Sequence, residues 1–267
     1  TRHWRGVAQP TLRPRHDKVK HMSLFSYTTV NIEPTRIGFI VLQSDETIER
    51  DLMAMRGDAD VFVSRVPSGQ EVTAETLQSM AAHIAASASL FPQNIGFDAV
   101  GYGCTSGTAQ IGVSEIERLV KSGTQTKTVS QPVSALVAAS QYLGLKRIAF
   151  LSPYIESVSA NLRQVLQDNG VETPAFGTFG EAEESKVVRI SGASVMEAAT
   201  ELVRGAQVDG IFLSCTNLRT LDLITQLEAA LNMPVLSSNL VLAWHLAQLS
   251  GNPEALSGPG RLFAPLA

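Results

Sequence analysis

The chain has 267 residues, of which 44% are hydrophobic and 17% charged, and its formal net charge is −4. That is enough apolar material to bury a large core as one big domain or two smaller ones, while the acidic balance offers no electrostatic basis for binding nucleic acid or an anionic membrane. The charge is unevenly spread, because residues 1–22 hold six Arg or Lys against Asp17 alone and leave −9 on the remainder.

In chain order, residues 1–35 read as a basic, Pro-bearing arm. It lacks the apolar core of about 7–15 residues that a secretion signal needs, and nowhere does the chain show the roughly 18 uninterrupted apolar residues of a membrane span. A cytoplasmic protein with reduced thiols is the expectation. Short β-branched runs then alternate with helical stretches, at 36–42, 60–66, 97–102, 127–130, 146–152, 171–179, 208–214 and 234–237. Strands separated by helices predict parallel sheets in an α/β protein, with four strands in each half. Ser114-x-x-Glu117 and Ser194-x-x-Glu197 read as capping boxes that open helices, and Gly144, Gly170 and Gly251 stand where helices should stop. The chain is expected to cross between halves near Gln131-Pro132 and to return near Pro234, giving a first lobe of residues 36–132 plus 236–267 and a second of residues 133–235. The last helix would pack back on the first lobe.

The two cysteines, Cys104 and Cys215, are 111 residues apart and sit in matching surroundings. In each case an apolar run ends, Cys-Thr follows, and a helical pattern is expected to begin; residues 99–111 and 209–221 echo one another around them. Ligands of open parallel sheets bind outside the carboxyl ends of the strands, where loops lead into helices. Backbone N–H groups there favour an anion, either a substrate carboxylate or the thiolate itself, and would turn a weakly acidic thiol into a usable base. Two thiols facing one carbon suit inversion, one removing a proton α to a carboxylate while the other delivers one to the opposite face. They also suit addition of a thiolate to a cis double bond, rotation and elimination. Neither route needs a metal or an organic cofactor. A third reading keeps the cysteines as small hydrophobes in a two-lobed sensor without chemistry.

The remaining motifs add little chemistry. Gly101-Tyr-Gly103-Cys-Thr-Ser-Gly107 misses the dinucleotide fingerprint by one residue and reads as backbone clearance beside Cys104. Three of the five histidines lie in the arm, no pair has ligand spacing, and His83 and His245 read as helix residues.

Gly103-Cys104-Thr105-Ser106-Gly107, Ser152-Pro153-Tyr154, Ser214-Cys215-Thr216-Asn217 and Pro234-Val-Leu-Ser-Ser-Asn239 with Trp244 carry a resemblance. From about residue 36 to 251 the chain resembles the aspartate/glutamate racemase superfamily, in the branch that holds maleate cis-trans isomerase and arylmalonate decarboxylase. The resemblance implies a cofactor-independent enzyme of two pseudo-symmetric Rossmann-like lobes with the active site in the cleft between them. It assigns the paired thiols to Cys104 and Cys215 and places Thr105, Ser106, Tyr154 and the Thr216 backbone around a substrate carboxylate, with Asn217 beside them. Two departures bear on substrate. Arylmalonate decarboxylases have glycine at the first cysteine's place, so Cys104 speaks against simple decarboxylation. Maleate isomerases carry a Pro-Ser-Ser-Asn-Thr-like stretch where this chain has Leu42-Gln43-Ser44-Asp45-Glu46-Thr47. There Gln43 and Asp45 are candidate substrate contacts. Asp45 would repel a second substrate carboxylate and welcome an ammonium, or else simply cap the next helix. The chain also looks similar to the ectoine-utilisation members of the superfamily, which implies diaminobutyrate or its N-acetyl form as substrate, and the superfamily's habit implies a homodimer.

Overall fold

The computed structural model describes residues 24–30 and 33–265. It divides into a unit ending at Glu33 and a unit of residues 34–267. In the first, residues 24–30 have no regular secondary structure, and most of the predicted basic arm lies outside the described residues.

The second unit opens with β1 (Arg36–Leu42), α1 (Ile48–Met55), β2 (Asp60–Val66), α2 (Ala74–Ser79), α3 (Ala81–Ala88), β3 (Phe97–Gly103), α4 (Thr105–Ile111), α5 (Val113–Gly123) and β4 (Thr126–Ser130). After α6 (Pro132–Leu143) come β5 (Arg147–Tyr154), α7 (Glu156–Asp168), β6 (Glu172–Glu181), α8 (Glu184–Val187), α9 (Gly192–Val203), β7 (Gly210–Leu213), α10 (Ile224–Leu231), β8 (Val235–Ser237) and α11 (Ser238–Leu249). The strands form two four-stranded parallel sheets, ordered β2-β1-β3-β4 and β6-β5-β7-β8. The order is the same in both, so the expected two-fold repeat is a repeat of topology. The predicted strand positions hold, β1 and β2 at both ends and the others with shifts of one or two residues.

Burial explains why these runs are strands. All of β7, Gly-Ile-Phe-Leu, is buried, as is β1 after its first residue; continuous apolar runs are what a parallel sheet covered on both faces requires. Each sheet is pinned at its entering edge by an aspartate six residues before a cysteine. Asp98 Oδ2 accepts the Arg36 N–H at 3.0 Å, and Asp209 Oδ2 accepts the N–H groups of Lys146 and Arg147 at 2.9 and 2.8 Å. The crossing helix α6 is punctuated as the sequence suggests. Gln131 accepts the Ser134 N–H at 2.8 Å, Pro132 opens the helix, and Gly144 closes it in the left-handed region at φ 71°. Helix α11 is buried nearly all round and packs on β3, β4, α1 and α6.

The two predicted capping boxes do not form. Ser114 is already inside α5, whose start is set by Gly112 at φ 95°, and Ser194 lies one turn inside α9, where Ser191 is the cap and accepts the Ser194 N–H at 3.1 Å. A glycine with positive φ in one case and an upstream serine in the other moved the helix start away from the motif. The reciprocal box is instead Thr73 with Thr76, at the start of α2. Among the described residues no helix is long and apolar enough to cross a membrane.

Candidate active site

With the strand order repeated, each sheet has its switch point between its two central strands, and the carboxyl ends there supply the site. The first sheet contributes the loop after β1, with Gln43 and Asp45, and Cys104 after β3; the second contributes Tyr154 at the end of β5 and Cys215 after β7.

Cys104 is the residue just before α4, and its thiol accepts the Gly107 N–H at 3.2 Å. Gly107 has to be glycine, since a Cβ there would stand 2.8 Å from the Cys104 sulfur. Cys215 departs from the expected parallel. No helix follows it directly: Thr216 to Thr220 run irregularly into a short 3-10 turn, and Cys215 itself holds φ 104°. That conformation costs a side-chain-bearing residue on the order of 1–3 kcal/mol. It accompanies a tight turn in which the Asn217 N–H reaches back to the Cys215 sulfur at 3.2 Å.

One hydroxyl joins the two loops. Ser238 Oγ, at the start of α11, accepts the Thr105 hydroxyl at 2.8 Å and the Cys215 N–H at 3.0 Å. The Thr216 hydroxyl donates to the Gly103 carbonyl at 3.3 Å, a second link between the halves. Asn239, next along, donates to both Asp51 Oδ2 and the Thr216 carbonyl at 2.8 Å.

The sequence reading missed Glu184. This carboxylate is buried and sits at the centre of a polar network: it accepts the Tyr154 hydroxyl at 2.7 Å on one oxygen and the Asn217 Nδ2 at 2.8 Å on the other. The Tyr154 oxygen lies 2.9 Å from the Cys215 sulfur. A backbone strap brings Glu184 here, with the Glu184 N–H donating to the Gln70 carbonyl and the Val72 N–H to the Ala182 carbonyl, at 3.1 and 3.0 Å.

Asp45 plays the capping role offered as one of its two readings, since its Oδ1 accepts the N–H groups of Thr47 and Ile48 at 2.8 Å each. Its Oδ2 is buried with no hydrogen-bond partner. The Thr216 hydroxyl stands beside it, within reach of both this oxygen and the Gly103 carbonyl, to which it donates. Asn217 is engaged throughout: besides Glu184 and Cys215 it accepts the Glu46 N–H at 2.9 Å and the Thr47 hydroxyl at 2.8 Å, so it positions other groups. Gln43 lines a cavity of about 510 Å³ bounded also by Ser44, Glu46, Glu71 and Glu184; of the groups around the thiols only Glu184 reaches it, and neither cysteine lines it. Ser106 lines a separate groove of about 270 Å³ beside Gln110 and Asn161.

Electrostatics run against the expectation that loop N–H groups make the thiols acidic. Both cysteines are buried, 5% and 3% exposed. Burial pushes the Cys104 thiol up to about 12 despite the Gly107 hydrogen bond, and it pushes Cys215 well above its ordinary value, with Glu184 adding to the rise in both. Burial likewise raises the carboxyls of Asp45 and Glu184. Arg65, the cation that acts on Asp45, is spent on the carbonyls of Leu42, Gln43 and Asp45 and on Glu49. Among the described residues no cluster of His, Cys, Asp and Glu has metal-binding geometry.

Comparison with known proteins fits this arrangement. The family model described as arylmalonate decarboxylase matches residues 37–263. The chain belongs to that family. An arylmalonate decarboxylase from Bordetella bronchiseptica is 30% identical over 132 residues, 49% of this chain and 55% of that protein. A maleate isomerase from Nocardia farcinica is 27% identical over 240 residues, 85% of this chain and 95% of that one. Among solved structures, a variant of Nocardia farcinica maleate cis-trans isomerase with a covalently bound succinylcysteine intermediate superposes with a TM-score of 0.73 at 24% identity, over 85% of this chain and 97% of that one. Kinship with maleate isomerase along nearly its whole length marks this family member as an enzyme of the isomerase kind.

Proposed function

We propose that the protein is a cofactor-independent racemase or epimerase that inverts the carbon next to a carboxylate in a small amino acid or related acid, with Cys104 and Cys215 as the paired proton-transfer groups. The observation that carries this is the pairing of the cysteine loops through the Ser238 hydroxyl, one from each sheet's switch point. The substrate carboxylate would take hydrogen bonds from backbone N–H groups of these loops, which is what an enediolate-like charge needs. Asp45 favours an amino acid over a dicarboxylate, because a second carboxylate would add to the burial that already raises Asp45 and Glu184, whereas an ammonium would offset it and hold both ionised. Diaminobutyrate or its N-acetyl form, as met in ectoine breakdown, has the required α-carboxylate and cationic nitrogen.

The test is incubation of candidate amino acids in D2O. Deuterium is expected at Cα, with inversion lowered about 10³-fold by Cys104→Ala or Cys215→Ala; inversion that survives loss of either thiol would rule out the two-base scheme. A second reading, cis-trans isomerisation of maleate through a cysteine adduct, draws on the maleate isomerase relatives. Proton NMR decides it, since fumarate would accumulate from maleate with no deuterium entering an amino acid.

A further inference from the structure

Burial and ionised Glu184 hold the Cys215 thiol up, and the geometry around Cys215 offers a way past the second penalty, because a proton passed to Glu184 removes its charge as the thiolate forms. Tyr154 has a single hydroxyl proton, and Glu184 Oε1 at 2.7 Å is the strong acceptor for it. The 2.9 Å contact between the Tyr154 oxygen and the Cys215 sulfur then has to be donated by the thiol. Cys104 has no such relay: its sulfur accepts from the backbone N–H groups of Gly107 and Ser106, and the hydroxyl of the nearby Tyr102 is donated to Met80 Sδ.

We infer that Glu184 is a positioning residue that arms Cys215 as the base through Tyr154, while Cys104 serves as the acid; this rests on the reading of Cys215 as a reacting group. The Cys215 S–H bond breaks as its proton passes to the Tyr154 oxygen, and the Tyr154 O–H bond breaks as that proton passes to Glu184 Oε1. Cys215 is left as thiolate, Glu184 as carboxylic acid and Tyr154 unchanged, with the total charge conserved. The Asn217 N–H on the sulfur and its Nδ2 on Glu184 Oε2 hold both ends of the relay in place. The other titratable groups facing Glu184 are Asp45, from the loop after β1, and Cys104, after β3. The adjacent cations are taken, Lys186 by Glu183 and Arg189 by Glu46.

A relay of this kind has a signature that ordinary thiol ionisation lacks. When the proton moves inside the protein, the thiolate fraction does not depend on pH between the two ionisations; when it leaves to solvent, the fraction grows about tenfold per pH unit. The experiment uses full-length protein with Cys104→Ser, so that Cys215 alone reports, and follows alkylation by iodoacetamide from about pH 6.5 to 8.5 without substrate. With Glu184 and Tyr154 in place the rate is expected to vary less than about threefold over that range. Glu184→Gln, and separately Tyr154→Phe, should restore the rise of about tenfold per unit; either variant suffices should the other fail to fold. A tenfold-per-unit rise with Glu184 and Tyr154 intact, a flat profile that persists in the variants, or no alkylation at any pH overturns the inference. No substrate is present, so this result stands or falls separately from deuterium exchange.

Discussion

The Cys104 and Cys215 loops occupy the same place in two sheets of identical strand order, yet they are built differently. Cys104 has extended backbone, caps a helix and is backed by Gly107, Met80 and Tyr102. Cys215 sits at φ 104° in an irregular turn, wired to Tyr154, Asn217 and Glu184. Repeated topology fixed where the thiols stand, while the local chain decided what protonates them. Under the proposed two-base scheme that inequality separates the base from the acid.

Three changes break or sharpen the contrast, beginning with the largest. Gly107→Ala strikes the Cys104 side alone: the new Cβ would lie 2.8 Å from both Cys104 Sγ and Met80 Cε. Overpacking of this kind should cost roughly 3 kcal/mol, read by urea unfolding, with Cys215 alkylation unchanged in the folded protein.

Asp51→Asn acts on the Cys215 side, through Asn239 and the Thr216 carbonyl. Burial raises the Asp51 carboxyl from 3.8 to about 6. A raised folded-state value means that the stability this group contributes is present below about pH 4 and is lost as pH climbs through 6. At about 1.4 kcal/mol per unit the ceiling is near 3 kcal/mol with the Asn239 bond already counted, and relaxation around the ionised carboxylate brings the expected gain of the variant to about 2 kcal/mol above pH 7. The gain should vanish at pH 4, as denaturant melts at the two pH values will show.

The smallest effect is the most diagnostic of backbone. Cys215→Gly should be more stable than Cys215→Ala by about 1 kcal/mol, since glycine accepts the positive φ, whereas Cys104→Gly should gain nothing over Cys104→Ala. Equal differences at the two sites in thermal melts would erase the distinction.

Much of this was legible in the chain. The eight strands announced themselves as short buried apolar runs, and both cysteines fell at strand ends for that reason. Of the other motif residues, Tyr154 and Asn217 lie within hydrogen-bond reach of the Cys215 sulfur. Three things were hidden. The positive φ of Cys215 has no sequence signature, because the expected glycine or asparagine is missing. Asp51 lies within α1 and reads as an exposed charge until Asn239, 188 residues away, is packed against it. Glu184 stands in an acidic run, Glu181-Ala-Glu-Glu-Ser, whose members look alike. Only pairing with residues 70–72 singles it out, and that contact is too remote in sequence for periodicity to signal.

The strap that carries Glu184 also walls the cavity that Gln43 lines. Two backbone hydrogen bonds between residues 70–72 and 182–184 set both the shape of that wall and the presentation of the carboxylate to Tyr154. A substitution that loosens this seam would therefore register twice, as an altered chamber and as an altered proton affinity.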